Sequence, residues 1–199
     1  MRHSLHFISD SLIVIFQAEI RGGLAHLGGE GFLNKFTSIK SREQFGEIVL
    51  AATGLSSHGI GGLIVVERKI GLKNYIERGI KLDAYLTYDL LVTIFNLKSS
   101  LHDGAVIIQG THVAAAACFL PLTLDPDLSK RLGSRHRAAI GISEETDAVA
   151  IVISEETGEI SVVMEGEITR NLDGPQLLKF LQRAFEAPEI SLPGEDEGK

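Results

Sequence analysis

The sequence predicts an α/β domain in which a central mixed sheet is flanked by helices. Several short runs rich in valine and isoleucine are typical of buried strands. Apolar residues at helical spacing lie between these runs, and turns rich in glycine and polar residues separate the segments. With 199 residues, 44% hydrophobic and 23% charged, the chain has the composition of one globular domain.

The first half of the chain gives the predicted elements in order. Residues 1–40 contain many glycines and are predicted to be a lead-in or linker with a short helix over 17–27. Ser41 and Gln44 form a capping box, which predicts a helix from Ser41 to about Leu55. A buried strand is predicted at 63–67 and a helical turn at 74–78. A further helix is predicted to be capped by Thr87 and to end before residue 99.

The second half predicts two strand pairs and two more helices. Gly110-Thr111 suits a tight turn between strands 106–109 and 112–119. Ser134 is predicted to cap the next helix, and Glu155 to Gly158 to form the turn of the second pair. The other predicted elements are strands 148–154 and 159–164, a short strand after Gly166, and a helix over 175–186. The folded domain is therefore predicted to cover 41–186, followed by an acidic tail, 187–199.

Composition excludes several classes of protein. The longest apolar stretch, Val113 to Leu122, has ten residues, whereas a membrane-spanning helix needs about 20. Cys118 is the only cysteine, and no secretory signal is recognisable. Of the net charge of −7, the segment 186–199 carries −4 and the rest of the chain −3. A weakly acidic body lacks the broad basic face that nucleic acids require, so we expect a small ligand in a reducing compartment.

The first polar cluster is His102-Asp103-Gly104-Ala105, which precedes a predicted strand. A carboxylate beside an imidazole can bind a divalent ion, or accept a proton from an attacking hydroxyl. Gly104 and Ala105 are too small to obstruct a ligand. The alternative is a plain turn before a strand.

The second cluster is Ser134-Arg135-His136-Arg137, at the start of a predicted helix. Free amides at a helix N-terminus and planar guanidinium groups both suit phosphate oxygens. Positive side chains in the first turn of a helix interact unfavourably with the helix dipole. Their presence here therefore favours a site that binds an anion such as a triphosphate. The alternative interpretation is structural: a nearby acid, Glu144 or Glu145, compensates the positive charge of the arginines.

The third cluster is Ser154-Glu155-Glu156, with Thr157 and Gly158 completing its turn. The adjacent glutamates could hold a metal or orient a phosphate-bound ion, and Ser154 could donate to an oxygen. A solvated hairpin turn is the alternative. A similar pentapeptide at 142–146 should face different surroundings, and Cys118 is predicted to be buried filler.

With these clusters in order, the sequence resembles the diadenylate cyclase family, and specifically its membrane-type bacterial members. The resemblance runs from about Gln17 to Phe185 and rests on Asp103-Gly104-Ala105, Arg135-His136-Arg137 and Ser154-Glu155-Glu156-Thr157-Gly158. It implies a cyclase domain over 41–186 that condenses two ATP molecules into cyclic di-AMP with release of two pyrophosphates.

The resemblance also implies a role for each residue. Asp103, with Gly104 and Ala105, would serve the metal and the attacking 3′-hydroxyl, and Arg135, His136 and Arg137 would engage phosphates. The nucleotide would further contact Leu120, by its backbone, and Ser134, Ser154 and Glu155. The implied cofactor is Mg²⁺ or Mn²⁺, held by Asp103, His102 and Glu156, with Glu155 beside them.

The product is symmetric, so the reaction implies a face-to-face homodimer. The resemblance further implies a cytoplasmic catalytic domain, a regulatory protein partner and, in full-length relatives, an anchor in the cell membrane. Only a short leader precedes the matching segment here, which suggests a shortened chain, a mis-set start or a member without an anchor. The alternatives are a nucleotide sensor without catalysis and, less well supported by the ligand set, a metal-dependent phosphodiesterase.

Overall fold

A computed structural model describes residues 30–125 and 132–185, with side chains from residue 43 onward. The chain divides into two compact units, Met1–Ser41 and Arg42–Lys199. The predicted helix over 17–27 and the predicted acidic tail lie outside the described residues. The architecture below is that of the second unit, together with the helix that leads into it.

Five helices surround one sheet in the described part of the chain. Helix α1 is long, Glu30–Ser57, and α2 is a single turn, Lys73–Ile76. Helix α3, Tyr88–Ile94, begins as predicted at Thr87, whose Oγ1 accepts a hydrogen bond from the Leu90 amide. The remaining helices are α4, Ser134–Glu145, and α5, Gly174–Phe185.

The sheet has seven strands in the described residues, ordered β2-β4-β3-β1-β5-β6-β7. Strands β1 and β3 are parallel, and all other neighbours are antiparallel, so the predicted mixed sheet is confirmed. Strand bounds are Gly62–Val66 (β1), Ile80–Tyr85 (β2), Ala105–Gln109 (β3), His112–Cys118 (β4), Val149–Ile153 (β5), Ile160–Met164 (β6) and Glu167–Thr169 (β7).

Helices cover both faces of the central strands, which explains why these strands read as continuous apolar runs. Along β1, Ile64 and Val66 join the core formed with α1, α3 and α5. The alternate residues Leu63 and Val65 join a second core with α2 and α4. This alternation follows the period of two along a strand.

Two predictions about elements are wrong. Helix α1 begins at Glu30, not at Ser41, because a Ser–x–x–Gln spacing is also compatible with a helix interior. The Gln44 side chain instead donates to the Gly110 carbonyl. The sequence predicts a loop where strand β2 lies, because β2 is a mostly exposed edge strand with an irregularity between Lys81 and Ala84. It therefore lacks the apolar run that identifies the others.

Candidate functional site

The first cluster opens onto a cavity of about 370 Å³ at the end of the central strands. Asp103 is exposed and lies in the loop that enters β3, so its carboxylate is available to a ligand. The cavity is lined by Asp103, Gly104, Ala105, Leu63, Cys118, Phe119, Leu120, Leu122, Ser134, Arg135, Ala138 and Glu155. The lining therefore combines apolar side chains with the charged groups of Asp103, Arg135 and Glu155.

Gly104 allows the Asp103 loop to lie directly against β4. Its φ is +112°, and a Cβ at this position would come within 2.9 Å of the Ala117 carbonyl carbon and 3.0 Å of the Cys118 oxygen. Only glycine adopts this conformation at such close approach without strain. Ala105 next to it is fully buried and pairs with Cys118.

The segment after β4 also lines this cavity, and it lies along α4. A Cβ at Gly141 would meet the Pro121 carbonyl oxygen at 2.2 Å, so the helix and this segment are in close backbone contact. The Thr123 amide donates to the Arg137 carbonyl at 3.1 Å, and the Thr123 hydroxyl donates to Glu144 at 2.9 Å. These contacts hold Leu120 and Leu122 at the cavity.

A second cavity, of about 350 Å³, lies between the N-terminal turn of α4 and the turn that joins β5 to β6. Ser134, Arg135 and Glu155 line both cavities. The other residues of the second cavity are Leu132, Gly133, His136, Val152, Ile153, Ser154, Glu156, Thr157, Glu159 and Arg170. The predicted second and third clusters are thus brought together, although about 20 residues separate them in the sequence.

An ion pair lies where the cavities share their lining. Arg135 Nη1 donates to Glu155 Oε2 at 2.8 Å. The pair packs on Gly61, just before β1, where a Cβ would come within 2.7 Å of Arg135 Nη1 and 3.0 Å of Glu155 Oε2. The acid that compensates Arg135 is therefore Glu155. The alternative assignment to Glu144 or Glu145 is wrong, since Glu144 accepts from Thr123 and Glu145 from Tyr75.

The turn that carries Glu155 and Glu156 is fixed from two directions. Within the turn, the Thr157 amide donates to Ser154 Oγ at 3.2 Å and the Gly158 amide to the Ser154 carbonyl at 2.9 Å. From α1, the Ser56 hydroxyl donates to the Gly158 carbonyl. Both glutamates are exposed, so hydrogen bonds hold the backbone of the turn while its carboxylates remain accessible.

The residues that open α4 have different surroundings. Ser134 is the first helical residue and not the predicted cap, because Gly133 occupies the N-cap position without a side-chain hydrogen bond. Ser134 lines both cavities. The pKa of His136 is lowered from 6.5, first by burial and then by the nearby Arg170, against the opposing effect of Glu159. Arg137 lines neither cavity, and its Nε is buried without a partner.

The residues predicted to hold a metal are not gathered in one place. Asp103 lines the first cavity and Glu156 the second. His102 Nδ1 lies 2.6 Å from the Ser99 carbonyl, which leaves Nε2 as the nitrogen that could accept a metal. Among the described residues no three His, Cys, Asp or Glu side chains form a metal-binding group. Asp103 and Glu156 are both carboxylates, the kind of side chain that binds a magnesium-type ion together with substrate phosphates and water.

The structure adds site residues that the sequence does not single out. Leu63, Phe119 and Ala138 line the first cavity, and their apolar character indicates only core or strand. Arg170 lines the second cavity, yet it follows a short edge strand and stands in no motif. An isolated arginine after an edge strand gives no sequence signal that distinguishes a ligand-binding residue from an ordinary surface arginine. Cys118 is buried as predicted, and burial raises the pKa of its thiol to about 11.

Comparison with known proteins identifies the family. A family model described as "DisA bacterial checkpoint controller nucleotide-binding" matches residues 49–168. The chain belongs to this family. It is 43% identical over 178 residues to the cyclic di-AMP synthase CdaA of Bacillus subtilis, covering 88% of this chain and 65% of the relative. It is 45% identical over 174 residues to a diadenylate cyclase of Listeria monocytogenes, covering 86% and 64%.

Solved structures of the family share the fold. The crystal structure of a double mutant of DacA from Staphylococcus aureus has a TM-score of 0.70 at 43% identity, covering 73% of this chain and 97% of that one. A hypothetical membrane spanning protein from Bacillus cereus has a TM-score of 0.63 at 35% identity, covering 84% and 86%. The chain spans about two thirds of the length of the curated relatives above. Within the described residues, no helix has the length and hydropathy to cross a bilayer.

Proposed function

We propose that this domain is a diadenylate cyclase that condenses two ATP molecules into cyclic di-AMP and releases two pyrophosphates. The observation that carries the proposal is the pair of cavities that meet at Arg135 and Glu155. One cavity has apolar lining residues suited to a nucleoside, and the other is lined by arginine and hydroxyl residues suited to phosphates. The diadenylate cyclase and cyclic di-AMP synthase names of the relatives support the same reaction.

The first cavity would take the adenosine. Leu63, Phe119 and Leu120 offer apolar surface to a base, and the Leu120 backbone would bond its edge. Asp103 lies in the same cavity, so its carboxylate would meet the ribose and its 3′-hydroxyl. The phosphates would then extend past Ser134 and Arg135 towards Ser154 and Glu155, which line the second cavity.

In each half of the reaction a 3′-oxygen attacks the α-phosphorus of the other nucleotide. A new P–O bond forms, the bond from the α-phosphorus to the bridging oxygen breaks, and pyrophosphate departs with the bonding electrons. Asp103 would receive the 3′-hydroxyl proton, acting as a general base. Arg135, with His136 donating a hydrogen bond in its neutral form, would stabilise the charge that develops on the phosphates.

A divalent cation, Mg²⁺ or Mn²⁺, would lower the negative charge on the phosphates when bound. Asp103 would supply a carboxylate for it in the first cavity, and Glu156 with Glu155 would supply carboxylates in the second. His102 Nε2 is a further candidate ligand. These assignments predict that activity depends on added metal and on the Asp103 carboxylate.

Two protomers would be required, because each chain has one copy of each motif while the product joins two nucleotides. A twofold axis would bring the two first cavities face to face. Because ATP is supplied inside the cell, such a domain would work in the cytoplasm. In full-length relatives, a membrane anchor would hold it at the inner surface of the membrane.

The test compares the wild-type chain with Asp103→Asn after incubation with ATP and Mn²⁺ or Mg²⁺. We expect wild type to form cyclic di-AMP and pyrophosphate. Asp103→Asn should lose at least about two orders of magnitude in rate, the range for loss of a general base. Its melting temperature should be unchanged, because Asp103 is exposed. ATP binding without product under either metal would favour the sensor alternative, and wild-type activity in the variant would remove Asp103 from the mechanism.

A further inference from the structure

Arg170 is an arginine in the second cavity that no motif includes. It immediately follows β7, the last strand of the sheet, and its side chain is exposed. Arg170 lines the cavity together with His136, Glu159 and the Ser154 turn. Unlike Arg135, it makes no hydrogen bond or ion pair with any residue that the structure describes.

The charges of the second cavity make this freedom significant. Glu155 already neutralises Arg135, so a phosphate ligand must replace the Glu155 carboxylate in order to bind Arg135. Glu156 and Glu159 also line the cavity and would repel a polyphosphate. Among the described lining residues, Arg170 is the cation that is not committed to a carboxylate, and burial together with Arg170 itself lowers the pKa of His136 beside it. The planar guanidinium of Arg170 therefore provides N–H donors that an anion can bind without displacing a carboxylate.

We propose that Arg170 binds the β- and γ-phosphates of the substrate and the pyrophosphate that departs, so that the second cavity is the leaving-group site. This inference rests on the proposed function. A guanidinium presents two parallel N–H donors to phosphate oxygens. As the bond between the α-phosphorus and the bridging oxygen breaks, negative charge grows on pyrophosphate, and Arg170 opposes it with a positive charge.

The two products give the inference a sharp signature. Pyrophosphate would contact Arg170, whereas cyclic di-AMP has no β- or γ-phosphate and would lie in the first cavity. Loss of Arg170 should therefore weaken ATP and pyrophosphate binding and leave cyclic di-AMP binding unchanged. A purely structural role would weaken all three together.

The experiment uses Arg170→Gln and Arg170→Lys in the full chain, with Arg183→Gln as the matched control. Arg183 is an exposed arginine of α5 that lines neither cavity. For each protein we would measure the KM for ATP, inhibition of turnover by inorganic pyrophosphate, and cyclic di-AMP binding by calorimetry. Arg170→Gln should raise the pyrophosphate inhibition constant at least about tenfold, as expected for a lost charge-assisted hydrogen bond. Arg170→Lys should recover part of this loss.

Each other outcome has a defined meaning. Wild-type pyrophosphate inhibition in Arg170→Gln, or an equal loss of cyclic di-AMP binding, would overturn the inference. Absence of cyclic di-AMP from the wild-type reaction would instead overturn the proposed function. In that case direct calorimetric binding of pyrophosphate to wild type and Arg170→Gln still tests Arg170, because equal affinities would remove it from the cavity's anion-binding set.

Discussion

Gly61 lies against the Arg135–Glu155 ion pair, and the absence of a side chain there leaves room for the pair. A Cβ would approach Arg135 Nη1 to 2.7 Å, closer than unbonded atoms tolerate. The φ of Gly61 is outside the positive region, so alanine is allowed by the backbone. The closest conflict is with the end of the flexible Arg135 side chain, which can move at little cost in folding free energy but cannot stay where the phosphates need it. The Glu155 Cβ, at 3.0 Å, would have to shift by only a few tenths of an ångström.

We accordingly expect Gly61→Ala to reduce the rate of cyclic di-AMP formation several-fold while unfolding at nearly the wild-type temperature. A misplaced guanidinium loses alignment with the transition state, to which such rates are sensitive. Gly71→Ala is the matched control, because a Cβ at Gly71 meets nothing within 4 Å. Turnover in Gly61→Ala equal to that of Gly71→Ala would show that the position of Arg135 in the unliganded protein does not matter for catalysis.

Helix α3 illustrates how a local signal and a tertiary contact cooperate at the scale of an element. Thr87 satisfies the Leu90 amide at 3.2 Å, and the helix then buries Leu91 and Ile94 in the core on one face of the sheet. An isolated helix of seven residues would not be stable in water. Its cap and its two buried side chains consequently both stabilise it.

Replacing Thr87 by alanine removes the acceptor for the Leu90 amide and should lower the free energy of unfolding by about 1 kcal/mol, the usual cost of losing an N-cap. Urea denaturation followed by circular dichroism measures this quantity. Thr93→Ala on the same helix is the control, because Thr93 is exposed and caps nothing. Equal midpoints for the two variants would contradict the assigned role of Thr87.

At the scale of the whole molecule, the proposed reaction requires two copies of the chain. When inactive Asp103→Asn is added to wild type in equal amount, random exchange should leave a quarter of the dimers fully wild type. Because the number of dimers doubles, product formation should fall to about half, provided that a mixed dimer cannot close the ring. The measurement is cyclic di-AMP formed at fixed wild-type concentration. An unchanged rate would exclude a site shared between protomers.

Local patterns are sufficient to predict most of the elements. Buried strands such as β1, β3 and β5 have continuous apolar runs because both faces of the sheet are covered, and Gly110 with Thr111 marks the hairpin between β3 and β4. Patterns fail where the signal is ambiguous or weak, at the start of α1 and along the edge strand β2. The residue spacing of a capping box also occurs inside helices, so it does not prove that a helix begins there. An exposed edge strand has no apolar run that would identify it.

The sequence by itself determined the mixed α/β class, the buried strands and the three polar clusters that carry the proposed chemistry. Only the tertiary structure decided that Glu155 is the partner of Arg135, that Gly61 lies beneath the pair, and that Arg170 joins the same cavity. The reason is the order of the sheet, which places β1 beside β5 and β6 beside β7. Strand pairing brings distant residues together, and no local periodicity encodes which distant residues will meet.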